Sequence, residues 1–359
     1  MRKTVLILFL VLLAGAAFFG GRIALFAFQP SRPGAQEPVI VEVRKGQGPS
    51  EVTKMLTQGG AISDPETFQL VGRIGRQWKR IRAGEYQVTA GMSPMQIFGV
   101  LASGISIKHP ITVREGENIF EVAADMEAKK LVSKEEFLKL CHDPRLIAAL
   151  KLDTGAAKSL EGYLFPETYF FNKAQSPEEM VRQMVKRFSQ GWGEKEQSRA
   201  RQLGLTQHQV ITLASMIEKE TGAQTERPLI SSVFHNRLHK KMKLQSDPTT
   251  IYGIWDRYKG NLHKSDLLDP TPYNTYTVAA LPIGPIGNPG SEAIQAALFP
   301  QDSEFLFFVS HNDGTHEFTR SLADHVSAVK KFQLDPKARE GKSWRDLSRA
   351  KQKIRAVKP

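Results

Sequence analysis

VEVRKGQGPSEVTKMLTQGGAIS (41–63) and ITVREGENIFEVAADMEAKKLVS (111–133) align at an offset of seventy residues. Val43 falls over Val113, Arg44 over Arg114, Gly46 over Gly116, Glu51 over Glu121, Val52 over Val122 and Ser63 over Ser133. Such self-similarity marks an internal duplication. Each copy reads as a short alternating strand, a glycine turn and a helix with apolar residues at helical spacing. After the first copy, GEYQVT (84–89) reads as a further strand and the run from Ser93 to Leu101 as a helix. The expected fold class is α+β.

Ahead of this unit, Met1-Arg2-Lys3 precedes TVLILFLVLLAGAAFFGG, eighteen residues (4–21) without a charge, and the apolar sequence resumes after Arg22 through Phe28. That length suits a membrane-spanning helix. The basic residues before it keep the short N-terminus cytoplasmic by the positive-inside rule, so the remainder is exported. A cleaved signal peptide competes, because residues 14–17 are small, but a cleavage site would normally end the apolar run. QPSRPGAQEP (29–38) has three prolines, a glycine and no hydrophobic period, and reads as a linker.

The net charge of +12 calls for an anionic partner. From Lys337 to Lys358 nine basic residues face two acids, so +7 of that charge lies in the C-terminal tail and the body is only mildly basic. An exported body demotes nucleic acid as the partner and promotes a cell-envelope polymer. The single cysteine, Cys141, lies in an apolar helical run and reads as a small packing residue.

Helices are expected over most of 177–221. Beyond them the chain turns loop-rich in LQSDPTTIYG (244–253), DPTPYNTY (269–276) and LPIGPIGNPG (281–290), where a binding cleft is expected. A helix over SEAIQAALF, capped by Ser291, leads to a hairpin turning at Asp313-Gly314, and SLADHVSAVKKF closes the domain.

Within ASMIEKETG (214–222) two glutamates stand two positions apart. Thr206 and Gln209 form a capping-box start and Gly222 a natural stop, so 207–221 reads as one helix. On its wheel Glu218 falls inside the apolar arc, between Ile211 and Ala214, and Glu220 at the other edge beside Met216. The two diverge by roughly 160°, so they form no facing dyad. A carboxyl in an apolar arc loses hydration when ionised, which raises its pKa as a general acid requires. A glutamate near a helix C-terminus also commonly pairs with a basic side chain, and the wheel does not choose between these readings. No phosphate loop, nucleophile elbow or H-E-x-x-H motif competes. His311 and His316 flank the hairpin turn at a spacing open to metal, though such residues are more often polar hairpin positions.

The strand, helix, helix, strand order of 39–108 resembles the LysM carbohydrate-binding module. ASMIEKET, VFHNRL (233–238), LQSDPTTIYG, YNTY (273–276), LPIGPIGNPG and DGTHEF (313–318), in this order behind one N-terminal span, resemble the YceG-like family of endolytic murein transglycosylases, from about residue 40 to about 330. Ile283 and Gly287 stand where the family pattern implies Pro and a small residue such as Cys or Ala.

The resemblance implies residues 1–28 as cytoplasmic N-terminus and transmembrane helix, 29–38 as linker, 39–108 as a LysM-like subdomain, 109–334 as the catalytic domain including the second repeat, and 335–359 as a basic tail. It implies cleavage of the MurNAc–GlcNAc β-1,4 bond inside nascent peptidoglycan strands to give 1,6-anhydro ends. It maps the catalytic acid onto Glu218. Gln245, Asp247, Asn274 and Tyr276 are the candidate substrate-binding residues, although Asp247-Pro248 and Asn274 serve equally well as turn formers, and Asn236 and Arg237 are candidate orienting residues, for which a structural role is the commoner reading. No cofactor or metal is implied. The implied partners are peptidoglycan, penicillin-binding synthases and the inner membrane, with the catalytic domain periplasmic. Two other readings stand beside this one: a non-catalytic glycan-binding scaffold that recruits synthases, and a muramidase that leaves reducing ends.

Overall fold

The computed structural model describes residues 2–335; the basic tail from Pro336 onward lies outside the described residues. Helices dominate, and the strands of the described residues pair in three two-stranded sheets, an α+β architecture. The chain forms two compact units, one of residues up to 110 with 170–176, the other of 111–169 with 177 onward.

The first unit contains α1 (Arg2–Phe28), β1 (Pro38–Val43), α2 (Pro49–Gln58), α3 (Pro65–Ile74), β2 (Gly84–Thr89) and α4 (Pro94–Ser103). β1 and β2 pair antiparallel, with Val41 opposite Tyr86 and Val39 opposite Val88. Alternate residues of this ribbon, Val41, Val43, Tyr86 and Val88, join Leu56, Phe68 and Phe98 in the core, as the pleat of a half-buried strand requires. Phe68 and Phe98 stack at 4.4 Å between ring centroids. Ser93 is the N-cap of α4, accepting from the Gln96 N–H, so the helix begins one residue later than the sequence implied. Gly104, at φ 74°, ends it.

α1 is apolar and long enough to cross a membrane over Thr4–Phe28. Its last turns do not stand free: Ile23, Phe26 and Ala27 pack on the core of the first unit. The segment 29–38, expected as a loose linker, is fastened as well. Arg32 N–H donates to the Ala90 carbonyl at 2.9 Å, and a Cβ on Gly91 would lie 2.3 Å from the Ala35 carbonyl oxygen.

The chain passes between the units in β3 (His109–Thr112) and β4 (Thr168–Phe171). The second unit continues with α5 (Ile119–Ala128), α6 (Lys134–Cys141), α7 (Pro144–Leu150), α8 (Pro177–Gly191), α9 (Glu194–Gln202), α10 (Gln207–Glu220) and α11 (Arg227–His239). It ends with α12 (Asp247–Gly253), α13 (Lys264–Leu268), α14 (Ser291–Leu298), β5 (Phe307–Ser310), β6 (His316–Thr319) and α15 (Leu322–Val329).

The duplication is visible in the backbone. α2 and α5 begin and end seventy residues apart, and Gly46 and Gly116 both sit at left-handed φ, 88° and 80°. Arg44 N–H donates to Gln47 Oε1, and Arg114 N–H to Glu117 Oε2, closing equivalent turns. Only the second turn has acquired a further partner among these bonds: Gly116 N–H donates to the Asn288 carbonyl, and the Asn288 amide donates to the Glu117 carbonyl.

α10 packs against α9, α11, α12 and α14, and every residue from Val210 to Ile217 is buried. The sequence implied a one-sided apolar arc; instead the helix is central. Its polar members are satisfied locally, Thr212 Oγ1 donating to the His208 carbonyl and Ser215 Oγ to the Thr212 carbonyl. Thr206 and Gln209 form the expected capping box, but α10 stops at Glu220 because Thr221 turns extended, not because Gly222 turns left-handed. Gly222 is required for a different reason: a Cβ there would lie 2.4 Å from the Gly314 carbonyl oxygen of the hairpin. α14 is capped by Gly290, with Ser291 its first helical residue rather than its cap. The β5–β6 hairpin turns over 311–315, with Asn312 and Gly314 at positive φ.

Candidate active site

A cavity of about 500 Å³ opens in the second unit. It is lined by the end of α10, by α11, by the loop before α12 and by the hairpin, through Glu220, Arg237, Gln245, Asp247, Tyr276 and His316 among others. Glu220, the last residue of α10, accepts a hydrogen bond from Ser246 Oγ at 2.5 Å. Burial pushes its pKa up to about 7; the Ser246 bond opposes that rise and the charge of Asp247 reinforces it.

The loop that carries these partners is held from below. Gln245 sits at φ 50°, a strained conformation for a residue with a Cβ, and its N–H donates to the Thr275 carbonyl. Tyr276 donates its hydroxyl to Asp247 Oδ1 at 2.6 Å. Arg237 donates to the carbonyls of Leu306 (2.6 Å) and Leu244 (2.7 Å), tying the hairpin side of the cavity to the Gln245 loop.

Of the residues singled out from the sequence, Gln245, Asp247, Tyr276 and Arg237 therefore meet in one cavity, but around Glu220. Glu218 does not line it. Its carboxylate pairs with Arg227 Nη2 at 2.6 Å and accepts the Gly290 N–H at 3.0 Å, with both side chains of the pair below a tenth exposed. Arg227 also meets Glu292 and, at 3.5 Å, Glu115. The apolar surroundings expected of Glu218 are thus an ionic network, because the residue following the next loop supplies a guanidinium.

Asn274 does not line the cavity either. Its side chain is fully buried, donating to the carbonyls of Asp266, Leu267 and Asp269 and accepting from Thr250 and the Tyr276 N–H, so no donor or acceptor is left for a ligand. Asn236 is spent on the carbonyls of Ser303 and Phe305. His311 and His316 do not converge: His311 bonds Thr315 and Glu317, whereas His316 Nδ1 meets Glu226 at 2.8 Å and its ring lines the cavity.

Sequence reasoning passed over Ser246 and Glu161. Glu161 is fully buried, its Oε2 accepting from the Ile119 N–H (3.0 Å) and from Tyr252 Oη (2.8 Å), and burial pushes its pKa up to about 7. It joins the start of α5 to α12, whose first residue is Asp247. Its only sequence signal was an acid inside the apolar run LEGYLF. Cys141 packs as a buried thiol, as expected.

The YceG-like family model matches residues 41–331. The chain belongs to the YceG-like family. Relatives of this family member include the endolytic murein transglycosylase of Bacillus subtilis strain 168, 31% identical over 334 residues, with 89% of this chain and 91% of the relative covered. The protein of that name from Streptococcus pneumoniae D39 is 26% identical, with 90% of this chain but 64% of the relative covered. The crystal structure of a YceG-like protein from Listeria monocytogenes superposes with a TM-score of 0.57 at 29% identity, covering 81% of this chain and 99% of that one. The Ile283 carbonyl meets His208 Nε2 at 2.9 Å, and a Cβ on Gly287 would lie 2.5 Å from the Gly116 carbonyl oxygen, which makes glycine obligatory here.

Proposed function

We propose that this family member is a membrane-anchored endolytic peptidoglycan lytic transglycosylase whose single general acid/base is Glu220. The names of its relatives support the reaction class and the substrate. The observation that carries the residue assignment is that Glu220 lines the cavity beside Gln245, Asp247 and Tyr276, where loss of hydration pushes its carboxyl up to about 7. Glu218 by this reading is the ionic tie that holds the end of α10 to α11 and to the loop before α14.

One carboxyl suffices for this chemistry. A hydrolase commonly needs a second carboxylate to activate water or attack the sugar. Here Glu220 donates its proton to the glycosidic oxygen as the bond from the MurNAc C1 breaks, and the substrate's own C6 hydroxyl attacks C1. The hydroxyl proton passes to the Glu220 carboxylate, which regenerates the acid and leaves a 1,6-anhydro end. The Asp247–Tyr276 pair provides oriented charge beside the oxocarbenium-like centre.

α1 anchors the enzyme in the inner membrane with the second unit in the periplasm, beside the penicillin-binding synthases that make the strands. Internal cleavage there ends strand elongation. The test is mass spectrometry of peptidoglycan incubated with the full chain, with Glu220→Gln and with Glu218→Gln. Anhydro-ended internal fragments lost in Glu220→Gln and retained in Glu218→Gln support the assignment. The reverse pattern returns the role to Glu218, and unchanged glycan with the parent chain sinks the enzymatic reading.

A further inference from the structure

The surface of the first unit carries two features that the catalytic reading does not use. From Arg73 to Arg82 the chain has five basic residues, Arg73, Arg76, Lys79, Arg80 and Arg82, and no acid, and all five side chains are exposed. From Tyr86 to Ile107 it has no charged residue at all. That stretch includes α4, whose outward side forms a shallow hollow with Met92, Gln96, Gly99, Val100 and Ser103, continued by Ile105 at 82% exposure.

The two features adjoin. Arg82 N–H donates to the Leu101 carbonyl, and the Arg82 side chain lies against Gly104, next to Ile105. Ile74, 65% exposed, follows Arg73 in the basic stretch. The result is an uncharged side of α4 continued by the exposed Ile105 and bordered by Arg82, with Ile74 exposed among the cations at the end of α3. On a protein in water an exposed apolar surface is a cost, whereas this combination matches the boundary between headgroups and acyl chains. Its height is also constrained. The uncharged part of α1 ends at Gly21, and Ile23, Phe26 and Ala27 already belong to the packing of the first unit, with α1 against both α3 and α4. Fewer than two helical turns separate the end of the span from the unit's core, too little for the unit to stand clear of the bilayer.

We propose that the first unit docks on the membrane surface through the outward side of α4 and Ile105, with Arg73, Arg76, Lys79, Arg80 and Arg82 binding the headgroups of anionic phospholipids. This rests on α1 spanning the membrane. Anionic headgroups attract juxtamembrane cations within a Debye length, which is what five exposed cations beside a span meet. A rigid mount of this kind fixes the orientation of the first unit on the bilayer, where a flexible tether would leave it free.

The experiment places spin labels in the full chain, reconstituted in nanodiscs of phosphatidylcholine with or without phosphatidylglycerol. Cys141 is fully buried and does not compete for label. Labels go at Ile105→Cys on the proposed face, Ile74→Cys within the basic stretch that meets the headgroups, Lys54→Cys on the exposed side of α2, and Leu12→Cys within α1. Accessibility to oxygen and to a water-soluble nickel chelate is then read at each site. In anionic discs the labels at 74 and 105 gain oxygen and lose chelate accessibility relative to 54, and Arg76→Glu with Arg80→Glu reverses that shift. If the label at 12 is in lipid while those at 74 and 105 are as wet as 54, the docking is overturned and the span stands. A wet label at 12 overturns the span and the docking with it. Equal lipid exposure of 74 and 105 in neutral and anionic discs overturns the headgroup contact.

Discussion

Ser246 Oγ, just ahead of α12, donates to the Glu220 carboxyl at 2.5 Å, across twenty-six residues of sequence. That bond and the nearby Asp247 charge pull the Glu220 proton in opposite directions, so with Glu220 as the proposed acid the pH profile of cleavage reads both.

Cleavage that needs protonated Glu220 falls as pH rises through about 7. Ser246→Ala removes an interaction that lowers the pKa and moves this limb to higher pH. Asp247→Asn removes one that raises it and moves the limb to lower pH. Rates of anhydro-end release between pH 5 and 9 check both signs. A limb that shifts the same way in both variants excludes Glu220 as the titrating acid.

Glu220→Gln keeps the size of the side chain and removes the transferable proton. A loss of about 10²–10⁴-fold in cleavage, with the thermal unfolding midpoint maintained, is expected. Near-parental cleavage by this variant would exclude the residue.

Glu218→Ala breaks the ion pair with Arg227 and leaves the guanidinium buried beside Glu292 and Glu115. A loss of about 3 kcal/mol is expected, at the low end for breaking a buried pair because two carboxylates remain. Urea unfolding measures it.

Glu161 ties pH to stability. Its pKa is near 7 in the folded chain against an ordinary 4.5, so its contribution is fully present below 4.5 and is lost as pH rises through 7. That is about 3 kcal/mol, in a direction opposite to a salt-bridged carboxylate. Glu161→Gln preserves an acceptor for Ile119 and Tyr252. Unfolding free energies of parent and variant between pH 4 and 8 should therefore converge at low pH and part at high pH, with the variant the more stable.

Gly222→Ala forces a methyl group against the Gly314 carbonyl. About 1–3 kcal/mol of stability is expected to be lost, together with cleavage rate, since the hairpin forms one wall of the cavity. Thermal unfolding and anhydro-end release report the two effects separately.

Local chemistry was legible in the sequence. The repeated strand, glycine turn and helix, the Thr206–Gln209 cap and the apolar span follow from neighbours a few residues apart. The choice between Glu218 and Glu220 was not, because a helical wheel ranks positions around one axis and α10 is buried on all sides. What separates the two carboxyls arrives from elsewhere in the chain: Arg227 to one, Ser246 and Asp247 to the other. The partners of Asn236 and Asn274 were out of reach for a related reason. A buried loop needs donors for its carbonyls, and Asn274, in its own loop, and Asn236, reaching from α11 to the segment before β5, both serve that need.

The two copies of the duplicated turn have had different fates. Arg44 and Gln47 close theirs on themselves, whereas Gly116 and Glu117 have also been stitched to Asn288 of the GNPG loop. The first copy can therefore diverge, be exchanged or be grafted elsewhere while its turn survives. The second is tied into the rest of its unit: a change at residue 116 or 117 is also a change in the loop that holds Glu218, so the two turns, alike in backbone, are not interchangeable.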